Sequence, residues 1–434
     1  MLATCFFSLV IAKITGLILL ILSSAPVHAS NGLNLIGFGL ESVSMGGADL
    51  AVARDSNALN TNPAGLNQIP DRRIDLTSTV ALPLDVRHQD GFGNDEEVSN
   101  RTIVLGNAGH AFRADSLSAV FGVGLFAQGG SGAVYRNLET AFGTRDEFSS
   151  LFRIARLSAG AAAEVAPTLS LGLGLSLLYA DLNQKIFPET SFADAEAPER
   201  SFFGLRLEGL HAVVPSYKFG AMWKVSDDVT LGASYSPRVK LNLEGDDLVA
   251  NLSALGLGKV RYHDVHARGL NLASEAGAGI AFRPVRGLLA SFEVTRLDWS
   301  RAVRTSTLRA SRPDHPDAPP VIELEANQGW RDQTVVAAGI EYEWNDRTAV
   351  RAGFNYGRNP IPRENLNPLL ASIGQRAVTL GAERRIGQDW RLAGGAEYTF
   401  REKIRYTNEA LPFGPGAVEV SEVLALHLAL GRDF

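Results

Sequence analysis

The chain has 434 residues, 45 % of them hydrophobic and only 20 % charged, with a formal net charge of −6. That balance removes any case for nucleic-acid binding from overall basicity, and the length accommodates two or three soluble domains or one large barrel. Glycine reaches 43 residues against a single cysteine, a level that weakens ordinary helices but suits strands that close on themselves and crowd a lumen.

The chain opens on a targeting pattern. Lys13 precedes an apolar run over 14–22, then come Ser23, Ser24, Ala25 and Pro26, and Val27-His28-Ala29 presents the small residues a signal peptidase reads. The run is well short of the ~20 residues a spanning helix needs. Residues 1–29 are therefore read as a signal peptide cleaved after Ala29, which carries away Cys5, the only cysteine. No later segment is apolar for long enough to cross a bilayer as a helix, so an exported, membrane-embedded chain must be a barrel.

Residues 30–73 lack strand periodicity. Residues 40–60 read LESVSMGGADLAVARDSNALN, Ala-rich with polar breaks, which predicts one or two short helices separated by Gly46-Gly47. Asn62-Pro63-Ala64-Gly65-Leu66 follows; Pro63 restrains Asn62 to extended geometry and Gly65 permits a tight turn. A compact polar segment ahead of a wide barrel can plug its lumen.

From residue 74 onward the pattern is dyad alternation. In 229–243 the odd positions are Val229, Leu231, Ala233, Tyr235, Pro237, Val239, Leu241 and Leu243, and the even positions include Thr230, Ser234, Arg238 and Lys240. Period two divides a lipid face from a lumen face. Residues 168–182 repeat it with Leu169, Leu171, Leu173, Leu175, Leu177 and Tyr179 on one side, as do 390–401 with Arg391, Glu397 and Arg401 on the inner side. The predicted strands are 74–87, 101–113, 116–128, 151–164, 168–182, 207–223, 229–243, 270–283, 286–299, 331–344, 347–358, 375–386, 389–404 and 420–434. A soluble sandwich also alternates, but these segments exceed the usual soluble strand length. They also bring Tyr179, Trp223, Trp299, Trp344, Tyr356, Trp390 and Phe400 to their ends, where interfacial girdles lie. Short turns such as Asn345-Asp346 alternate with long connections such as 129–150, 183–206, 244–269 and 300–330, the asymmetry of outer-membrane barrels. Leu424, Leu426, Leu428, Leu430 and Phe434 share one parity, which puts the terminal aromatic on the lipid face. It resembles the signal read by the barrel-assembly machinery. The reading is an all-β membrane protein: a fourteen-stranded antiparallel transmembrane β-barrel (74–434) whose lumen is plugged by a short helical segment (30–73).

Three stretches together resemble the FadL-type family of long-chain fatty-acid and hydrocarbon transporters. Glu41-Ser42…Met45-Gly46-Gly47-Ala48…Asn62-Pro63-Ala64-Gly65-Leu66 is similar to the family's N-terminal hatch, with Asn62, Pro63 and Ala64 at its turn. Phe126-Ala127-Gln128-Gly129-Gly130-Ser131-Gly132…Tyr135 ends the third strand. Gly329-Trp330-Arg331-Asp332-Gln333 and Val350–Tyr356 followed by Pro360-Ile361-Pro362 complete the set. The resemblance implies energy-independent uptake of hydrophobic molecules, most simply long-chain fatty acids, through a Gram-negative outer membrane. Ligand would be captured by loops, held behind the hatch and released sideways at a kink in the third strand. Gly129, Gly130 and Gly132 are the candidates for that kink, since clustered glycine in a strand marks a bulge or bend; the alternative is simply the start of a long loop. Tyr135, Leu138, Phe142, Phe148 and Phe152 are candidates for capture, with a loosely helical spacing at Leu138, Phe142 and Phe148. Arg238, Lys240 and Arg391 are candidates to hold a carboxylate in the lumen, or else to pair with acids such as Glu397.

An aromatic-hydrocarbon channel of the same family is the alternative cargo reading, and a non-specific porin or a structural barrel the alternative class. The chain has no Gly-x-Ser-x-Gly elbow, no phosphate-binding Gly-Lys-Ser/Thr loop and no His-Glu-x-x-His pair, so no enzyme, cofactor or metal is expected. His263-Asp264-Val265-His266 lies beside Arg261 and Arg268, which disfavours a cation, and Asn94–Glu97 is read as a solvated loop ahead of a Ca²⁺ site. The expected partners are outer-membrane lipid, a hydrophobic small molecule and the assembly machinery, without nucleic acid, for a monomer.

Overall fold

The computed structural model describes residues 31–414 and 416–434; the signal peptide, its cleavage site and Cys5 lie outside the described residues. Fourteen long strands close a ring: β1 Arg72–Pro83, β2 Ile103–Ala114, β3 Ala119–Glu139, β4 Arg145–Ala166, β5 Leu169–Phe192, β6 Phe202–Lys224, β7 Val229–Ser236, β8 Glu275–Val285, β9 Leu288–Leu297, β10 Gln333–Asn345, β11 Thr348–Gly357, β12 Arg376–Ile386, β13 Trp390–Tyr406 and β14 Ala417–Asp433. Each pairs antiparallel with the next, and β14 returns to β1 over a register running from Arg73↔Asp433 to Pro83↔Val423. Closure pairs the strands around the ring, as a bilayer demands, except along the short stretch of β2 described below.

The alternation decides the faces. Leu171, Leu173, Leu175 and Leu177 of β5 stand exposed on the outside, and Leu426, Leu428, Leu430 and Phe434 do the same on β14. Trp223, Trp344, Trp390 and Phe434 crowd the ends next to the short turns, and Tyr235, Tyr356 and Phe400 the opposite ends, as two aromatic girdles. Trp299 does not join them. It is fully buried in the interior, edge-on to Trp330 at 5.3 Å, with its indole N–H 3.3 Å from Gln333 Oε1.

Strands β3 to β6 run far beyond what a membrane needs, and their extensions absorb most of the connections expected as loops at 129–150 and 183–206. The connections at 244–269 and 300–330 are likewise largely strand: Leu243–Gly245 and Asp247–Asn251 each pair with β6 and with Lys259–Arg268, which pairs in turn with Thr305–Pro313, and Thr305–Pro313 pairs with Val321–Asn327. β7 is shorter than the alternation suggested. It stops at Ser236, before Pro237, whose missing N–H cannot continue the ladder. Beyond it Val239 and Leu241 turn into the interior, and Arg238 and Lys240 are exposed.

Inside the ring lies the N-terminal segment. A helix, α1 (Gly39–Ser44), ends at Met45 because Gly46 and Gly47 follow at φ +68° and +81°. Two 3-10 turns follow, Ser56–Leu59 capped by Asp55 and Pro63–Gln68 capped by Asn62, with Pro63 at the first position. Inward glycines of the wall let this backbone approach. A Cβ on Gly172 would collide with Pro63 and the Ala64 N–H, one on Gly220 with Asn62 Oδ1, and one on Gly232 with the Leu50 carbonyl. Asn62 Nδ2 donates to the carbonyls of Leu50 (2.6 Å) and Ala221 (3.1 Å), tying segment to wall.

Candidate functional site

The wall is interrupted at a seam between β2 and β3. β2 pairs with β1 as far as Ile103↔Ala81, but with β3 only between Ala114↔Ala119 and Asn107↔Phe126. Residues 103–106 of β2 therefore have a neighbour on one side only. At that point the register of β3 on β4 shifts between Ala127 and Gly129, leaving Gln128 as the bulged residue. Asn107 Oδ1 accepts the Ala127 N–H at 3.0 Å, closing the seam below. Above, the Ser99 N–H reaches the Val134 carbonyl (2.8 Å) and the Val134 N–H reaches Asn100 Oδ1 (3.1 Å), which closes it again. Between these two points β3 exchanges β2 for the N-terminal segment: Asn34 bridges Gly129, and the Gly130 N–H donates to the Leu33 carbonyl at 3.0 Å. Gly129 and Gly130 sit at φ +148° and +145°, and a Cβ on them would strike the Leu33 and Phe152 carbonyls respectively. No other residue fits there without strain. Gly132 is an ordinary ladder residue opposite Leu151.

The aromatic stretch after Gly132 forms a long hairpin rather than a helical loop, with Tyr135 opposite Phe148 and Leu138 opposite Asp146. Tyr135, Leu138, Phe148 and Phe152 are fully buried in one interior apolar cluster with Phe187 and Phe413. Phe148 lies 5.1 Å from the Phe187 ring and 5.0 Å, edge-on, from Phe413. Phe142 stands apart, stacked on Phe202 at 5.0 Å. The cluster is roofed by the hairpin of Arg87–Gln89 and Asp95–Glu97. There His88 hydrogen-bonds Glu419 through Nδ1 and Asp90 through Nε2 (3.2 Å), and the Tyr135 hydroxyl donates to Glu419 Oε2 at 3.3 Å. Burial alone would depress the His88 pKa, but the Glu419 charge and the hydrogen bonds to Asp90 and Glu419 prevail and push it up to about 9.

Of the three cations proposed for the lumen, Arg238 and Lys240 are exposed beyond the end of β7, and Arg238 Nη1 is spent on the Arg301 carbonyl at 2.6 Å. Arg391 faces inward but is paired, with Asp433 at 2.7 Å and Glu383 at 3.2 Å. It belongs to a network at the turn-side mouth in which Arg351 meets Glu341 (2.7 Å) and Glu383 (3.4 Å), and Arg54 of the inner segment meets Glu341 (2.7 Å) and Glu41. Arg401 pairs with Asp85 at 2.9 Å, and Glu397 serves neither it nor Arg391.

Arg156 is a buried cation of a different kind. On the inner face of β4 it is 3 % exposed; its Nε and Nη1 have no hydrogen-bond partner, and among the described residues no acid lies within ion-pair distance of it. Glu275, the acid whose charge acts on it, is bonded to Lys218 at 3.0 Å. Sequence reasoning passed over Arg156, although the signal was present: it shares the parity of Phe152, Ile154 and Ser158, a single arginine on an otherwise apolar and small inner face.

Two cavities flank residues 35–37. One, of about 60 Å³, is lined by Asn31, Asn34, Gln128, Glu275, Glu293 and others; the second, of about 40 Å³, lies against β1, β2, β13 and β14. Leu35, Ile36 and Gly37 line both, so this stretch of the inner segment partitions an inner chamber from the space behind the unpaired part of β2.

The family model described as outer membrane protein transport protein (OMPP1/FadL/TodX) matches residues 30–421. No curated protein sequence matches. Among solved structures, the Ralstonia pickettii toluene transporter TbuX is 20 % identical (TM-score 0.73, covering 92 % of this chain and 99 % of that one). The Pseudomonas putida toluene transporter TodX is 19 % identical (TM-score 0.76, 93 % and 100 %), and a Pseudomonas aeruginosa FadL homologue 16 % (TM-score 0.74, 93 % and 100 %). At these identities the structures establish the shared barrel. The family match does more: this chain belongs to the OMPP1/FadL/TodX family of outer-membrane proteins, non-enzymatic transporters of hydrophobic compounds.

Proposed function

We propose that the protein takes up long-chain fatty acids. Ligand enters through the apolar cluster under the long loops, rests with its carboxylate at Arg156, and leaves sideways between β2 and β3. The observation that carries this reading is the exchange at Gly129-Gly130, where the wall strand trades its neighbour for the inner segment and leaves residues 103–106 unpaired. Below the chamber the inner segment and its ion pairs fill the lumen, so the low-resistance direction is lateral. Burying each CH₂ is worth about 0.8 kcal/mol, enough for the cluster around Phe148 and Phe152 to concentrate an acyl chain from dilute solution. A buried guanidinium without a partner is costly, and an incoming carboxylate offsets that cost by bidentate pairing.

The buried aromatic cluster favours monoaromatic hydrocarbons as a second reading, since rings would pack edge-on against Phe148 and Phe413 as these pack on each other. Uptake of labelled oleate and labelled toluene by cells with and without the protein separates the two. The fatty-acid reading expects a gain for oleate that Arg156→Met removes several-fold while toluene is untouched. A gain for toluene alone sinks it, and no gain for either sinks both.

A further inference from the structure

The smaller cavity holds a second buried polar atom without a hydrogen-bond partner. His427 of β14 lies on the parity opposite to Leu426 and Leu428, so it faces inward and is 7 % exposed. Its Nδ1 sits 2.8 Å from Thr79 Oγ1, whereas Nε2 has no hydrogen-bond partner. The nearest recorded acid, Glu397 of β13, is 3.9 Å away at Oε2, beyond hydrogen-bond range. Thr77, Thr79 and Asn107 are the other polar groups facing this space, and Leu35, Ile36, Leu105 and Val423 supply the apolar walls. A cavity of about 40 Å³ has room for a few water-sized groups. That suits a carboxyl head but not an acyl chain.

Its position gives the vacancy meaning. Leu105 and Asn107 line the cavity and border the unpaired stretch of β2, so the cavity lies directly behind the seam. A fatty acid entering hydrocarbon as an anion pays a desolvation cost far above that of the neutral acid. The last protein groups to touch its head should therefore be hydrogen-bonding partners for a neutral carboxyl, not a fixed cation. When the Nδ1–H of His427 donates to Thr79, Nε2 is left as an acceptor for an acid O–H.

We infer that His427, with Glu397 beside it, forms an exit-side subsite that receives the carboxyl group of the departing ligand after it leaves Arg156, the carboxylate taking up one proton from solvent water as it quits the guanidinium. The inference rests on the fatty-acid reading and adds a second station to it. The acyl chain would run past Leu105 through the seam, and displacement of residues 35–37 would connect the two stations.

Two variants test it. His427→Phe keeps the ring volume and removes both nitrogens; His427→Gln keeps hydrogen bonding. Cells with equal amounts of assembled barrel are given labelled oleate and labelled 1-octadecene, an uncharged chain of equal length. The expected result is an oleate-to-octadecene uptake ratio roughly three- to tenfold lower in His427→Phe, the worth of one hydrogen bond, and restored to within about twofold by Gln. An unchanged ratio, or equal slowing of both compounds, overturns the subsite. A direct measurement stands apart from transport: ¹³C-carboxyl oleic acid bound to the purified protein should show a neutral-acid carboxyl resonance that His427→Phe abolishes. Persistence of that resonance overturns the inference even if uptake is normal. Failure of wild-type cells to gain oleate overturns the uptake reading instead.

Discussion

The double substitution Gly129→Val/Gly130→Val asks whether the seam carries traffic. Both glycines sit at φ near +145°, where a valine is strained, and each added Cβ would meet a carbonyl, of Leu33 or of Phe152. At about 1–3 kcal/mol of strain per residue, the pair destabilises the kinked strand by roughly 2–6 kcal/mol. Straightening β3 relieves this but gives up the Gly130–Leu33 hydrogen bond and the Asn34–Gly129 bridge, about 1 kcal/mol each. The straight form then gains roughly 0–4 kcal/mol, and at the midpoint of about 2 kcal/mol the kinked state is depleted about thirtyfold. The ladder of β3 on β4 on both sides of the kink is untouched, so assembly should survive, as read from heat-modifiable mobility of the barrel on gels. Uptake of labelled oleate should fall about thirtyfold at that midpoint. Normal uptake by an assembled double variant would refute lateral passage at this seam.

Other perturbations probe the plug and the roof. Asn62→Ala removes a cap and two bonds to the Leu50 and Ala221 carbonyls. A loss of about 2 kcal/mol should appear as faster proteolysis of the inner segment in otherwise intact barrels. Arg351→Met leaves Glu341 and Glu383 with only Arg54 and Arg391. Breaking a buried pair from one side costs about 3–5 kcal/mol, so single-channel conductance in planar bilayers should rise through a loosened plug; wild-type conductance would show that the network does not seal the mouth. His88 titrates near pH 9 against an ordinary 6.5. A raised folded-state pKa means its stabilisation is complete below about pH 6.5 and is lost as pH rises through about 9, on the order of 3 kcal/mol. Protease cleavage in the hairpin around residues 87–97 should therefore increase across that window and lose its pH dependence in His88→Phe.

Much of the architecture was legible because it rests on a period of two. Leu171 to Leu177 and Leu426 to Leu430 declare the lipid face without help from neighbours, and short turns against long connections declare the two sides of the membrane. The same local logic misplaced Trp299, Arg238 and Lys240. Parity holds only while a strand stays in the wall, and Pro237 ends that condition for β7. Length was underestimated where the wall extends above the bilayer, because there the outside of β3 to β6 is covered by protein and the apolar-polar contrast fades.

What the chain determined by itself is the barrel, the inward glycines and the two glycines that no other residue can replace at the kink. What only the tertiary structure decided is which inward polar groups find partners. Arg391 and Arg156 look alike in sequence, each an arginine on an inner face. Yet Arg391 meets Asp433 and Glu383, whereas Arg156 Nε and Nη1 have no hydrogen-bond partner, because pairing depends on which acids the flanking strands bring beside each arginine. The same holds for the capture residues: alternation placed Phe148 and Phe152 on one side of a strand, but only the fold brought that side against Phe187 and Phe413 in one buried apolar cluster.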